Sequence, residues 1–163
     1  MNLEIDVEAP WPSSEDWDDL AERASRAAAQ VAQELAHPRL CASVLFTSDE
    51  DVRALNAEWR GKDKPTNVLS FPMLERDDLL ELASDGPPEM LGDIALAFET
   101  CTREAEEKGI PVAQHATHLI VHGLLHLAGY DHETSDEDAD AMEALETKAL
   151  AVLGYADPYG PDD

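Results

Sequence analysis

The chain has 163 residues, which is enough for one domain with a sizeable core. Its formal charge of −25 argues against a protein that binds nucleic acid through a broadly basic surface. Its two cysteines, Cys41 and Cys101, support neither a disulfide framework nor a cysteine-rich zinc ribbon.

The negative charge is unevenly distributed. Residues 1–22 contain eight acids and no Lys or Arg, and residues 133–163 contain ten acids and one Lys. Residues 53–74 are instead net positive, with Arg53, Arg60, Lys62 and Lys64 against Glu58 and Asp63. The acids are typical of a solvated surface, on which a local positive strip survives.

The sequence carries no signal for export or membrane insertion. The first residues lack the charged and apolar regions of a signal peptide. No apolar run approaches the roughly 20 residues that a bilayer-spanning helix needs. We therefore expect a soluble, cytoplasmic protein without a membrane partner.

Hydrophobic alternation and helix-capping residues predict four strands and five helices. The strands fall at residues 3–7, 42–46, 67–71 and 92–98, with an acidic, mobile loop at 74–90. The first two helices follow caps at Ser13 or Ser14 and at Ser48. The other three fall at about 99–108, 111–128 and 135–153, the last of them capped by Ser135.

Strands interspersed early and helices gathered late indicate an α+β fold. We expect a single domain over residues 1–156 with a mixed sheet of four strands, packed with five helices. A frayed acidic tail is predicted at 157–163.

The helix predicted at 111–128 is apolar nearly all round, which indicates that it is buried. His122 and His126 lie on one face of it, about 6 Å apart along the axis. Gly129 suits a left-handed turn that returns His132 toward them. Three imidazoles with a fourth position for water are typical of a catalytic zinc site, so we expect a zincin-like centre with one ion per chain.

Two further histidines precede this set. His118 and His126 are separated by about 12 Å along a helix, too far to bind one ion together. His118 is therefore expected to support a ligand or face the substrate, and His115 to be an ordinary surface or core residue.

The residue after His122 is Gly123, where zinc proteases of the similar His-x3-His-x2-Gly-x2-His pattern have the glutamate that acts as general base. Its absence argues against a peptidase. Phosphodiester cleavage in RNA has an internal alternative to activated water, because the ribose 2′-hydroxyl can be the nucleophile. A bound metal also lowers the pKa of water toward about 7.

The histidine run resembles the signature of the bacterial YbeY family of metal-dependent endoribonucleases. Two further blocks resemble the same family: residues 55–72, with Trp59-Arg60 and Asp63–Pro72, and residues 91–94, Leu-Gly-Asp-Ile. Together the blocks extend over about residues 40–153, most of the chain.

The resemblance implies a mixed sheet with surrounding helices and a zinc ion held by His122, His126 and His132. It places the functionally important arginine of the family at Arg60. It also implies single-strand-specific cleavage of ribosomal RNA, in 16S rRNA 3′-end maturation and ribosome quality control. The expected partners are RNA and the ribosome or small-subunit proteins, and DNA is not expected.

Arg60 can stabilise phosphate charge, since a planar guanidinium pairs with two phosphate oxygens. The competing interpretation is a surface salt bridge with Asp63 or Glu58. Trp59 is expected in the core rather than as a base-stacking platform.

Three other side chains have open roles. Asp131 either orients a ligand or caps the turn, Asp93 is expected to pair with a backbone group, and Ser70 can face the site.

Two other functions are compatible with the residues. One is a zinc hydrolase of peptides or amides, which Gly123 disfavours. The other is a ribosome-associated factor with a structural zinc, which the open coordination position disfavours.

Overall fold

The computed structural model describes residues 1–131 and 135–159. Its four strands, β1 (Asn2–Val7), β2 (Leu40–Thr47), β3 (Val68–Pro72) and β4 (Glu89–Ala97), form one sheet in the order β1-β2-β4-β3. The pairs β1/β2 and β2/β4 are parallel, and the edge strand β3 is antiparallel to β4. The predicted α+β fold with a mixed four-stranded sheet is confirmed.

Six α-helices lie in the described part of the chain, where five were predicted. They are α1 (Trp17–Val31), α2 (Asp49–Arg60), α3 (Arg76–Leu80), α4 (Phe98–Lys108), α5 (Val112–Leu127) and α6 (Asp136–Val152), with a 3₁₀ turn at Gln33–Ala36. No helix among the described residues is long and apolar enough to cross a bilayer.

Two of the three predicted caps are confirmed. The Ser48 and Ser135 hydroxyls accept from the third backbone N–H after them and begin α2 and α6. The prediction for α1 is wrong, because Asp16, rather than Ser13 or Ser14, accepts the backbone N–H of Asp19. A carboxylate at the N-terminus of a helix also interacts favourably with the helix dipole.

The acidic segment predicted as a mobile loop contains the extra helix α3, and Arg76 explains why it is ordered. The Arg76 guanidinium donates to the backbone oxygen of Ala128 at 2.7 Å and to the Glu34 carboxylate at 3.0 Å. It also lies 4.6 Å from the centre of the Tyr130 ring. These partners are distant in sequence, so local composition could not indicate them.

The two faces of the sheet are covered by different helices. Alternate residues of β2 and β4, including Val44, Phe46, Ile94 and Leu96, face α1 and α5 in the main core. The intervening residues, together with Leu69 of β3, face α2 in a smaller cluster of Val52, Leu69, Ala95 and Ala97. Helix α5 therefore lies on one side of the sheet and α2 on the other.

Candidate functional site

The C-terminal half of α5 carries His122 and His126 on adjacent turns. The His126 Nδ1 lies 2.5 Å from Ser70 Oγ on β3. Ser70 faces α5 because its neighbours in the strand, Leu69 and Phe71, pack on the α2 side. The open role of Ser70 is thereby resolved as a hydrogen bond to a predicted metal ligand.

Glu146 of α6 approaches the other histidine. Its Oε2 lies 3.4 Å from His122 Nδ1, and its Oε1 lies 2.6 Å from His118 Nε2. The Tyr159 hydroxyl also donates to Oε1, at 2.8 Å. Burial raises the pKa of Glu146, but hydrogen bonds from His118 and His122 outweigh it and lower the pKa to about 2. The carboxylate is therefore ionised, and neutral or cationic donors surround it.

Both described histidines fit a metal ion. Each places Nδ1 against an oxygen, and an imidazole that donates its Nδ1 proton presents Nε2 as the ligand atom. His132, the third predicted ligand, lies outside the described residues, and within residues 1–131 and 135–159 no three metal-ligating side chains cluster. His122 and His126 are therefore the two predicted zinc ligands that lie among the described residues. Their imidazole nitrogens are ligands that zinc favours.

The turn after α5 forms as predicted at Gly129. Its φ is +103°, in the region that favours glycine, and its N–H donates to the backbone oxygen of His126 at 3.0 Å. A Cβ there would also lie 2.7 Å from Arg76 Cβ. The turn therefore directs the chain back beside the histidines, through Asp131, which stays a candidate for orienting a ligand or capping the turn.

Gly123 faces the sheet. A Cβ at this position would lie 2.9 Å from Cδ1 of Ile94, which is buried in β4. A glutamate here would enter a packed apolar core. A residue larger than glycine would therefore have to displace the Ile94 side chain, which fills the space between α5 and β4 at this point.

His115 is a core residue, as one of the two expectations held. It is buried and its Nε2 lies 2.8 Å from the Glu104 carboxylate. Burial lowers the pKa of His115, and the Glu104 hydrogen bond only partly opposes this.

Arg60 is the last residue of α2, and its side chain is exposed. The alternative salt bridge to Asp63 is not formed, because Arg53 binds that carboxylate at 2.7 and 3.1 Å. Arg60 itself has no ion pair with any residue of the described chain. It lies on the α2 side of the sheet, so the structure does not bring it into contact with the histidines of α5.

Trp59 is 67% exposed, so the prediction that it belongs to the core is wrong. A groove of about 600 Å³ separates the last turn of α2 from the sheet, and Trp59 forms part of its wall together with Phe71, Pro72 and Met73. Pro72 also lines a smaller cavity beside His126. The groove beside Trp59 and the cavity beside His126 therefore meet at Pro72, the last residue of the edge strand β3.

Asp93 lies on the floor of the same groove. Its carboxylate accepts a hydrogen bond from the Ser43 hydroxyl, directly opposite on β2. The expected backbone partner is therefore wrong. In a parallel pair, residues in register share a face of the sheet, which brings these two side chains together.

Glu146 and Tyr159 were missed by the sequence reasoning. One signal was available for Glu146, because the core-facing residues of α6 are Met142, Glu146, Ala149 and Leu150. An acid in an apolar stripe indicates a buried partner. Tyr159 lies in the segment predicted as a tail and gave no comparable signal.

Comparison with known proteins agrees with these blocks. The sequence model described as endoribonuclease YbeY matches residues 7–154. The chain is 66% identical to the endoribonuclease YbeY of Erythrobacter litoralis, over 98% of both chains. It is 59% identical to that of Novosphingobium aromaticivorans, over 99% of this chain and 97% of the relative.

A solved structure supports the fold. The solution structure of TM1509 from Thermotoga maritima matches with a TM-score of 0.57 and 23% identity, over 98% of this chain and 99% of that one. On the family match and the curated relatives, the chain belongs to the endoribonuclease YbeY family.

Proposed function

We propose that this chain is a zinc-dependent, single-strand-specific endoribonuclease that acts in 16S rRNA 3′-end maturation and ribosome quality control. Its relatives are named endoribonuclease YbeY, so the chain is a hydrolase of RNA phosphodiester bonds. The observation that supports the metal is the pair His122 and His126, each with Nδ1 against an oxygen of Glu146 or Ser70.

The residues divide the chemistry between them. His122 and His126, with His132, would hold one zinc ion. Bound there, the ion supplies Lewis-acid stabilisation of the charge that develops on the scissile phosphate. Arg60 contributes a bidentate donor to phosphate oxygens, for which its exposed guanidinium, without an ion pair in the described part of the chain, is suited.

The shape of the surface supports a single strand as substrate. The cavity beside His126 and the groove beside Trp59 meet at Pro72. One strand of RNA can therefore pass around the edge of β3 and contact both. The exposed Trp59 ring can stack on an unpaired base, while Arg60 lies beside it in sequence. A duplex keeps its bases stacked and does not offer this contact.

A charge of −25 opposes free approach to RNA. We therefore propose that the enzyme works in the cytoplasm with a ribosomal or small-subunit protein whose basic surface neutralises the acidic one. Capture of small-subunit proteins from extract at low salt, lost at high salt, supports this proposal, because exposed charges are screened. Absence of any such protein contradicts it.

The function is tested by incubating the purified protein with single-stranded RNA, duplex RNA and a panel of peptides, with and without a metal chelator. Cleavage of single-stranded RNA alone, abolished by the chelator and restored by zinc, is expected. Peptide hydrolysis would favour the amide-hydrolase alternative, which the glycine at position 123 disfavours because the proteases have a glutamate there. RNA cleavage that survives chelation, with contaminating nuclease excluded, contradicts the catalytic metal.

A further inference from the structure

Glu146 is an acid at a core position of α6. It is 1% exposed, and the groups within ion-pair distance of it in the described chain are the imidazoles of His118 and His122. Neither Lys nor Arg contacts it there. Since a buried carboxylate is costly without hydrogen bonds, its contacts indicate what it does.

One oxygen of Glu146 is fully engaged in holding the side chain. Oε1 lies 2.6 Å from His118 Nε2 and accepts the Tyr159 hydroxyl at 2.8 Å. The segment that carries Tyr159 is itself fixed, because Asp157 Oδ1 accepts the Tyr159 N–H at 2.8 Å and the Thr147 hydroxyl at 3.2 Å. Two donors on Oε1 set the rotation of the carboxylate.

The other oxygen is thereby directed at His122. Oε2 lies 3.4 Å from His122 Nδ1, at the long end of hydrogen-bonding distance. An oxygen in that place favours the ring tautomer with the proton on Nδ1, and Nε2 then lies on the opposite side of the ring.

We propose that Glu146 is a positioning residue for His122, and that His118 and Tyr159 hold Glu146 in place. This rests on the proposed function, since it takes His122 to be a metal ligand. It gives His118 a role that its spacing left open: His118 is too far along α5 from His126 to share an ion, but it secures the carboxylate behind His122.

Glu146 is not placed to act on substrate. With 1% exposure and both oxygens facing side chains, it cannot contact solvent water or the phosphate of a bound RNA. A purely structural ion pair would be the remaining interpretation. The two differ in whether the ligand properties of His122 depend on Glu146.

The test is the affinity of the folded protein for Zn²⁺, measured by competition with a chromophoric chelator. The Glu146→Gln variant keeps the shape of the side chain but removes its charge and one of its acceptor oxygens. We expect Zn²⁺ affinity to fall about 10- to 100-fold. With Co²⁺ as the probe, the visible absorption of the variant should also change, because the ligand geometry around the ion changes.

Glu104→Gln is the matched control. It makes the same substitution at a second Glu–His contact, that of His115, whose distance is 2.8 Å. His115 is not in the predicted ligand set, so Zn²⁺ affinity and the Co²⁺ spectrum should stay at wild-type values.

The outcomes separate the two proposals. If the wild type binds Zn²⁺ and Glu146→Gln binds it equally well, the positioning role is overturned and the metal proposal stands. If the wild type binds no Zn²⁺, the metal proposal itself fails. A loss in Glu146→Gln with Glu104→Gln unchanged supports the inference.

A measurement on the wild type covers the case in which Glu146→Gln does not fold. Nitrogen-15 NMR of the metal-free protein near neutral pH reports which ring nitrogen of His122 carries the proton. The Nδ1–H tautomer is expected. The Nε2–H tautomer would overturn the proposal, because Glu146 would then not set the ring.

Discussion

The candidate site residues on the two faces of the sheet differ in their contacts: the histidines on the α5 face contact other polar groups, and the aromatic ring and the cation on the α2 face are exposed. On the α5 face, His118, His122 and His126 each lie against an oxygen of Glu146 or Ser70. On the α2 face, Trp59 is 67% exposed and Arg60 has no ion pair within the described chain. The first face is organised to hold a small group in fixed geometry, and the second leaves a ring and a cation available to an extended ligand.

This difference predicts that the two faces contribute to different kinetic constants. Changes on the α5 face should lower kcat, since the proposed zinc ion there would act on the reacting phosphate. Changes on the α2 face should act more on KM, since binding away from the reacting bond contributes to both the ground state and the transition state. Three substitutions test this prediction, in decreasing order of effect.

The largest effect is expected for His126→Ala, which removes one of the proposed zinc ligands from the α5 face. Loss of the ion removes several kcal/mol of transition-state stabilisation, so cleavage of single-stranded RNA should fall at least about 10³-fold. Circular dichroism should show a folded protein, which separates this outcome from a structural zinc. His37→Ala, remote from the site, is the control. Wild-type cleavage by His126→Ala would contradict the metal centre.

Arg60→Glu should have the next largest effect, from the α2 face. Replacing a guanidinium that donates to phosphate oxygens with a carboxylate should lower kcat/KM about 10²-fold, mainly by raising KM, because charge-assisted hydrogen bonds to the RNA are lost. Stability should change little, because the Arg60 side chain is exposed and terminates α2. Lys62→Glu makes the same charge change two residues away and should be milder. Equal losses of kcat/KM in both variants would mean that the local positive charge, rather than a specific contact of Arg60 with phosphate, contributes to RNA cleavage.

Trp59→Ala should weaken RNA binding without lowering kcat. Stacking of one base contributes about 1–3 kcal/mol, so KM for single-stranded RNA should rise roughly 5- to 100-fold. Trp59→Phe keeps an aromatic ring and should retain most of the affinity. An unchanged KM in Trp59→Ala, with the free energy of unfolding also unchanged, would sink the stacking role and leave the groove without an RNA contact.

The same contrast marks what could be predicted from the sequence. Apart from the cap of α1, the features set by neighbours in the chain were correct: the caps at Ser48 and Ser135, the left-handed turn at Gly129 and the burial of α5. The mixed sheet followed from the order of the strands. Each depends on spacing and backbone preference, which a sequence displays directly.

Features set by distant contacts were missed or wrong. Helix α3 is ordered by Arg76, whose partners Glu34 and Ala128 are 42 and 52 residues away. Trp59 is exposed because α2 ends over a groove rather than over the sheet. Glu146 could be suspected from its apolar stripe, but its contact with His122 arises only when α6 packs on α5.

The smallest effect concerns Glu104 of α4, whose carboxylate contacts His115 near the start of α5. Burial raises the pKa of Glu104, but hydrogen bonds from His115 and Asn67 outweigh it and hold the pKa below its ordinary value of 4.5. A carboxyl with a lowered folded pKa stabilises the protein fully above the unfolded pKa, and this contribution is lost as the pH falls through the folded pKa. Glu104→Gln should therefore lower the free energy of unfolding by about 1 kcal/mol near neutral pH. Urea unfolding of both proteins should show this difference shrinking below the ordinary carboxyl pKa. If the difference in free energy of unfolding between the two proteins grew in acid, the folded state would be stabilised by protonated Glu104. The contact between Glu104 and His115 would then not involve an ionised carboxylate.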